Sequence, residues 1–582
     1  MEHANLEDAV KAVIEGRITR RAFMLRAVGL GVSVSVAGAI LAACQNAATT
    51  SQAPASGGGG AQAFPVSGPT GDGSGGTLIL GQESDMDVLD PALGVGAVTW
   101  RTVLYQVYES LATRELNNPD GVSGKIIPNI TDSIDQASDG KSYTFHLHPG
   151  INFTDGTPFD ADAVKWNVER QWDQSSLGRS NPAHFDPNAA GVRSWFWTPS
   201  KLQNIVVVDK HTVRFELGAP FSEFVGGMIE AGLGTMGISS PAIWQKYGTA
   251  GIAAHPTGTG PFLFDSRVAG DNVTIVKNPN YWDPKRAAKL DKIIFKVLPD
   301  ASARVQALRA GDVHGIFAPP PSELASLQQA GFIVTARVNP HLWYLALNAG
   351  EDYWKDKRVR QAFWMSIDRE GMANNLLKGT SMAAINMTGR TSAAYSDSVK
   401  YPDYDPDQAK KLMADAGMAS GFSTVFQIPT GGSGEVQPVQ MAEWIADNAS
   451  KIGIKIQLQT SEWISYLHDW GSGMKAGIGM NQMSWGMTSP YWLNLPLRTT
   501  SVFNVGHQKM DGIDQLLDEA DEALDPKVAA MSYQAADAQN GQELWALPII
   551  NDLAPVVISP KVMNFVHTPD WWWDYRNVWV KS

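Results

Sequence analysis

An α/β protein of more than one domain is predicted by three observations. Short apolar strands alternate with amphipathic helices along most of the chain, the length is 582 residues, and 44% of the residues are apolar against 18% charged. Length and composition of this kind suit a globular chain with two or three cores, and repeated strand–helix–strand units give mixed layers of sheet and helix. No internal repeat is visible.

The elements follow in order. Thr77-Leu78-Ile79-Leu80 is a short apolar strand, at which order is expected to begin. Tyr143 to Leu147 alternates its faces and reads as a strand closed by Pro149-Gly150. Asp160 is placed to cap a helix running to about Trp172, with Ala163, Val164, Val168 and Trp172 as its apolar stripe. Ile205 to Val208 and Val213 to Leu217 flank Asp209-Lys210-His211 in a hairpin pattern. Ile293 to Leu298 is a strand, and Ala303 to Ala310 is a helix stopped by Gly311. Trp343 to Leu347 is a strand followed by a helix near Val359 to Ile367. Helices are expected at Gln408 to Ala416 and Val439 to Ile452, and a strand at Ile454 to Leu458. The aromatic run Asp570 to Tyr575 reads as a packed C-terminal segment.

The N-terminus is read as an address. Thr19-Arg20-Arg21-Ala22-Phe23 precedes an apolar, Gly-rich run from Ala27 to Ala43, and Leu41-Ala42-Ala43-Cys44 closes it. This order resembles a Tat-type export signal, residues 1–43, ending in a lipoprotein cleavage site whose lipid goes to the thiol of Cys44. Residues 44–76 are Ala, Ser, Thr, Gly and Pro almost throughout and are expected to be a flexible tether. Cys44 is the only cysteine, so no internal disulfide forms and stability rests on core packing. The expected location is extracytoplasmic, lipid-anchored to the cell membrane, in the periplasm or on the outer face of the plasma membrane. Removing residues 1–43 takes away five basic and four acidic residues and leaves a net charge of about −14. That balance argues against nucleic acid as a partner.

A series of short motifs then runs along the mature chain. Leu89-Asp90-Pro91-Ala92 and Tyr108-Glu109-Ser110-Leu111 come first, then Asp139 to Leu147 and Phe153-Thr154-Asp155-Gly156-Thr157-Pro158-Phe159. Gly258-Thr259-Gly260-Pro261-Phe262, Asn280-Tyr281-Trp282, Tyr344 to Asn348, Arg358 to Ala362, Ile367-Asp368-Arg369, Tyr404 to Leu412 and Ile452 to Lys455 follow. In this order they resemble the extracytoplasmic solute-binding proteins of the dipeptide/oligopeptide type, which feed ABC importers. Most of these residues also have a scaffold reading: tight turns at Asp155-Gly156 and Gly258-Thr259-Gly260, a helix start at Asp405-Pro406, and helix-surface ion pairs among Arg358, Arg360, Asp368 and Arg369.

The resemblance implies a two-lobed α/β periplasmic-binding-protein fold with a hinge between the lobes and a subdomain inserted in lobe one. It places lobe one at residues 77–115, 200–298 and 551–582, the inserted subdomain at 116–199 and lobe two at 299–550. It implies a monomeric receptor, not an enzyme, that holds a peptide-like or other extended polar solute between its lobes and delivers it to ABC importer permease subunits. In peptide-binding relatives a Trp on a lobe-two strand is followed three residues later by an Asp that pairs with the peptide's α-ammonium. Here the matching stretch is Ser484-Trp485-Gly486-Met487-Thr488, with Thr488 in place of the acid. The expected ligand contacts are Trp485, Gly486, Thr488, Trp463, Trp470 and Gln482. Without that acid, neutral ligands stacked on Trp, such as an oligosaccharide, become an alternative; Asp469 or Asp511 taking over the acid's role is the other.

Catalytic and metal readings are weaker. His146 and His148 lie two apart on one strand face, but no third ligand at a telling spacing accompanies them, so neither metal nor other cofactor is expected. The chain has no His-Glu-x-x-His, Gly-x-Ser-x-Gly or P-loop stretch. The competing class is an exported hydrolase such as a glycosidase with paired carboxylates in a Trp-lined cleft; no spacing selects such a pair.

Overall fold

The computed structural model describes residues 6–14, 17–29, 37, 64–94, 97–119, 125–170, 202–229, 237–432, 434–486, 489–570 and 572–582. The chain divides into two compact units: Ala63–Arg337 with Ala554–Ser582 (lobe one), and Val338–Leu553, with which Met1–Gln62 groups (lobe two). Expected Cys44 and Thr488 lie outside the described residues.

Lobe one is built on a seven-stranded mixed sheet. Thr77–Gln82 runs parallel to Lys292–Val297 on one side and to Gly315–Phe317 on the other. Asn272–Lys277 and Phe262–Val268 extend one edge, and Val556–Ile558 and Ile333–Thr335 the other. The division at residue 337 corrects the expected boundary at 298/299. The segment 299–337 stays with lobe one because its two strands pair with Thr77–Gln82 and with Val556–Ile558. The C-terminal aromatic run packs here as expected, with Trp572, Trp573 and Tyr575 buried in the lobe-one core.

A separate antiparallel sheet carries the insertion, in the order Thr131–Gln136, Ser142–Leu147, Thr212–Glu216, Asn204–Asp209. Alternating burial along Ser142–Leu147 follows the period-2 pattern of its side chains. The hairpin at 204–216 therefore belongs with the insertion, beyond the expected limit of residue 199: its Thr212–Glu216 strand pairs with Ser142–Leu147. Asp160 caps the helix Ala161–Glu169 through the Ala163 N–H, as its sequence position suggests.

The motifs shared with the family converge on one another. Glu109 accepts hydrogen bonds from Tyr281 Oη at 2.6 Å, Trp282 Nε1 at 2.9 Å and Thr259 Oγ1 at 3.0 Å, joining three separate motifs around one buried carboxylate. Asp90 forms a buried bidentate ion pair with Arg170. A side chain at Gly258 would strike the backbone of Val107 and Tyr108, and one at Gly260 that of Gln106 and Val107, which explains glycine there by close approach. These motifs are scaffold.

Order begins earlier than Thr77. Residues 64–76 lie along the C-terminal segment: Ser67 bridges Val566, the Gly68 N–H donates to Phe565 O at 2.9 Å, and Gly71 exchanges hydrogen bonds with the Asn564 side chain. The apolar residue Phe64 packs on the lobe-one core, and Gly71 and Gly73 let the chain pass over the Trp579 ring. Glycine there serves contact rather than flexibility. Near the N-terminus, Leu6–Ile14 and Arg20–Gly29 are helices. Among the described residues no helix is long and apolar enough to cross a membrane.

Lobe two has a six-stranded sheet in the order Ser381–Ala383, Ala546–Asp552, His341–Leu347, Ile478–Gly486, Phe422–Pro429, Ile454–Ser461. The last two strands are parallel and joined by the helix Pro438–Ser450. The helices Lys357–Ser366 and Pro406–Asp415 are capped by Asp356 and Asp405, with Pro406 in the first turn. The expected surface pairing of arginines holds for Arg358, which bonds Asp356. Arg360 and Arg369 are buried, their guanidinium carbons 3.9 Å and 3.6 Å from the ring centres of Trp545 and Trp364; Arg360 still pairs with Glu543 at 3.1 Å, and the surface pairing fails for Arg369. Planar cations on aromatic faces tolerate burial that an exposed pairing does not require.

Candidate functional site in lobe two

His341–Leu347 and Ile478–Gly486 form the middle of the lobe-two sheet, antiparallel, with Trp343 opposite Ser484 and Tyr344 opposite Met483. Alternation puts Tyr344, Asn481, Met483 and Trp485 on one face and His341, Trp343, Gln482 and Ser484 on the other. The expected contacts Trp485 and Gln482 therefore point to opposite faces of one strand.

The Trp485 face is aromatic. Its ring lies 5.3 Å from Trp470, 5.4 Å from Trp492, 5.4 Å from Phe503 and 6.2 Å from Tyr344, centre to centre. Trp485 is half-buried, whereas Trp470 is 3% exposed and Gln482 fully buried. Edge-to-face packing of this sort presents a stiff wall at little entropic cost. Phe503, Trp492 and Tyr344 were not anticipated; only aromatic content marked them.

The opposite face is polar and is crossed by the loop that follows Phe422–Pro429. His341 Nδ1 and Ser484 Oγ are 2.8 Å apart, and the Trp343 indole N–H donates to Glu435 Oε2 at 2.7 Å. Trp463 stacks nearly parallel to Tyr466 at 6.2 Å, and the Tyr466 hydroxyl bonds the backbone of Gln482 where Phe422–Pro429 no longer pairs with it. Trp463, Tyr466 and Gln482 thus form one connected group, and Gly486 lies on the same face against His341. Burial pushes the Glu435 carboxyl up to about 8, and Asp552 adds to that push, while Gln482, Trp343 and the Ser484 N–H act against it. Glu435 was missed in the sequence. The available signal was an acid in the run Gly431-Gly432-Ser433-Gly434-Glu435 directly after a strand.

Several buried polar atoms around these strands have no hydrogen-bond partner among the described residues: Tyr344 Oη, both side-chain polar atoms of Asn481 and of Gln482, Glu435 Oε1 and Trp470 Nε1. Buried polar groups are nearly always paired, so the exceptions on the Trp485 face, at Tyr344, Asn481 and Trp470, mark a place where a ligand or water completes the set. The two alternative acids do not join it: Asp469 is exposed beside His468, and Asp511 is exposed. The histidine pair is also spent locally. His146 Nε2 meets Asp135 at 2.9 Å, His148 Nδ1 meets the Pro149 carbonyl at 2.9 Å, and no group of three metal-ligating side chains occurs among the described residues.

Comparison with known proteins places this architecture. The family model for bacterial extracellular solute-binding proteins, family 5 (middle), matches residues 125–504. The chain belongs to this family of extracellular solute-binding receptors, which are not enzymes. It is 30% identical over 400 residues to di/tripeptide-binding protein 1 of Pseudomonas aeruginosa, covering 67% of this chain and 72% of that protein. It is 28% identical over 504 residues to heme-binding protein A of Haemophilus influenzae, covering 82% and 88%. Among solved structures, the periplasmic binding protein DppA of Helicobacter pylori in complex with the peptide STSA superposes with a TM-score of 0.76 at 24% identity, covering 88% of this chain and 99% of that one. The dipeptide-binding protein of Pseudoalteromonas sp. SM9913 in complex with Met-Leu gives 0.77 at 22% identity, covering 87% and 100%. Both have the two-lobed fold expected from the sequence.

Proposed function

We propose that this receptor is a lipoprotein, tethered through Cys44 after Tat-type export, which captures a peptide-like solute on the aromatic and polar surface of lobe two and closes on it. The observation that supports this most is the Trp485 wall together with the unspent buried polar atoms on its own face, Tyr344 Oη, the Asn481 amide and Trp470 Nε1. A flat ring holds apolar side chains of an extended solute, while the Asn481 amide, the Tyr344 hydroxyl and the Trp470 indole N–H bond its backbone groups. Relatives named for dipeptides, tripeptides and glutathione are in keeping with a peptide-like solute, while another is named for heme. An oligosaccharide is the second reading, favoured by the same Trp wall and by Thr488 in place of an acid.

A calorimetric panel of di- to pentapeptides and oligosaccharides tests the reading. One-to-one binding of peptides with a smaller radius of gyration in solution scattering is the expected result. Binding of sugars alone transfers the function to the second reading. Release of product from any glycoside would restore the hydrolase.

A further inference from the structure

The two N-terminal helices are built into the lobe-two core. Leu6–Ile14 closes where the Arg17 and Ile18 N–H groups both donate to the Ala12 carbonyl, at 2.8 Å and 3.1 Å. Thr19 Oγ1 then accepts the Ala22 N–H at the start of Arg20–Gly29. The helices pack on each other, and Leu6–Ile14 lies against Pro526–Glu543. Ala9, Val10, Phe23 and Ala27 are at most 4% exposed and share one apolar cluster with the lobe-two residues. Lys11 Nζ stands 3.6 Å from Asp525, the residue that caps Pro526–Glu543.

This hairpin sorts its residues by chemistry. Arg17, Arg21 and Arg26 are exposed, whereas Phe23 and Ala27 are fully buried. Ala37, from the apolar run Ala27 to Ala43, is fully buried in the same cluster. An export signal requires only basic residues, an apolar run and a cleavage box. The helix Leu6–Ile14 is none of these, yet Ala9, Val10 and Val13 follow helical spacing and pack on the lobe-two cluster. Left in water, that stripe and the run behind it would form a sticky apolar surface. The core that covers them exists only when lobe two is folded.

We propose that lobe two carries a docking face for the N-terminal hairpin of the full-length chain, and that docking is a fold-dependent cover for the apolar run. The occupant is this chain's own segment, Leu6–Ile14 with Arg20–Gly29. Docking stores apolar residues that a bilayer would otherwise take, and it leaves the basic residues in water. Membrane insertion must first displace the hairpin from Pro526–Glu543, so a folded lobe two delays it. The covering role rests on the export reading above; the docking itself does not.

The test uses the full chain from cell-free synthesis without membranes, as wild type and as Val10→Asp. Val10 lies outside both the Arg20-Arg21 motif and the apolar run. A charge there lowers the intrinsic affinity for lipid, so a gain in membrane binding reports undocking. Wild type is expected to give a Lys11–Asp525 cross-link with a zero-length carbodiimide, read by mass spectrometry. Amide exchange in its two N-terminal helices is expected to be slower than in Val10→Asp by about tenfold or more. Val10→Asp is expected to lose the cross-link and to bind phosphatidylethanolamine–phosphatidylglycerol vesicles about fivefold more, with the strands of the lobe-two sheet protected as in wild type. Wild-type helices that exchange at unfolded-chain rates and give no cross-link overturn the docking. Equal vesicle binding by the two chains overturns the covering role. If Val10→Asp fails to fold, Lys11→Glu, which sets like charges against Asp525, takes its place in the vesicle arm with the same expectation. A chain that docks, but that cells neither export nor cleave, overturns the export reading alone.

Discussion

Trp470 stands edge-on to Trp485, ring centres 5.3 Å apart and planes at 79°, and so joins the helix Trp463–Gly471 to the strand Ile478–Gly486. Phe503 lies against both rings. The half-buried member of this group, Trp485, is the one with surface left to offer.

Trp485→Ala should therefore weaken solute binding by about 1–3 kcal/mol, the range for loss of an aromatic anchor. Calorimetry against the best-bound peptide measures it. An unchanged Kd would remove this wall from the site.

Gly73 makes a prediction about stability. A Cβ there would lie 2.5–2.7 Å from atoms of the Trp579 ring. Gly73→Ala should cost about 1–3 kcal/mol through overpacking. Adding Trp579→Ala should make the pair less destabilised than the two changes summed. Additive melting shifts in a double-mutant cycle would show that residues 64–76 do not dock on the C-terminal segment.

Much of the fold was legible because its signals are local. Asp160 and Asp405 each cap the helix that their spacing suggests, and Tyr143 to Leu147 alternates its burial as expected. The lobe boundary was not legible, because it depends on which distant strand accepts Gly315–Phe317 and Ile333–Thr335. The docking of residues 64–76 was not legible for a similar reason: a Gly-rich stretch reads as flexible until Trp579 is known to lie under it. In the site, Trp485 and Trp470 were found by resemblance and do meet. Glu435 was hidden because its loop reaches across two strands to Trp343, ninety-two positions earlier in the chain.

Two buried groups give opposite pH dependences. Glu435 is raised in the folded state, so its contribution to stability is fully present below pH 4.5 and is lost as pH rises toward about 8. The solute-free melting temperature should fall across that window, and Glu435→Gln should flatten the fall.

His567 works the other way. It is fully buried, and burial, with Arg337 nearby, lowers it from 6.5 to about 3. Its neutral form contributes stability above pH 6.5, lost as pH falls toward 3. His567→Gln should reduce the steepness of acid unfolding, read by circular dichroism. An unchanged acid limb would contradict a buried neutral imidazole.

Cys44→Ser should release the protein from membranes after fractionation while leaving the melting temperature unchanged. A variant that still pellets with membrane contradicts the lipoprotein reading.

The central claim is that this chain is a receptor that holds a peptide-like solute. Native mass spectrometry of the freshly purified protein, incubated with a defined pool of free-amine peptides, tests it most directly. The account predicts a one-to-one complex, bound peptides drawn from the free-amine pool, and loss of the extra mass on denaturation. A bare protein mass at saturating peptide, with neutral oligosaccharides retained instead, would contradict it.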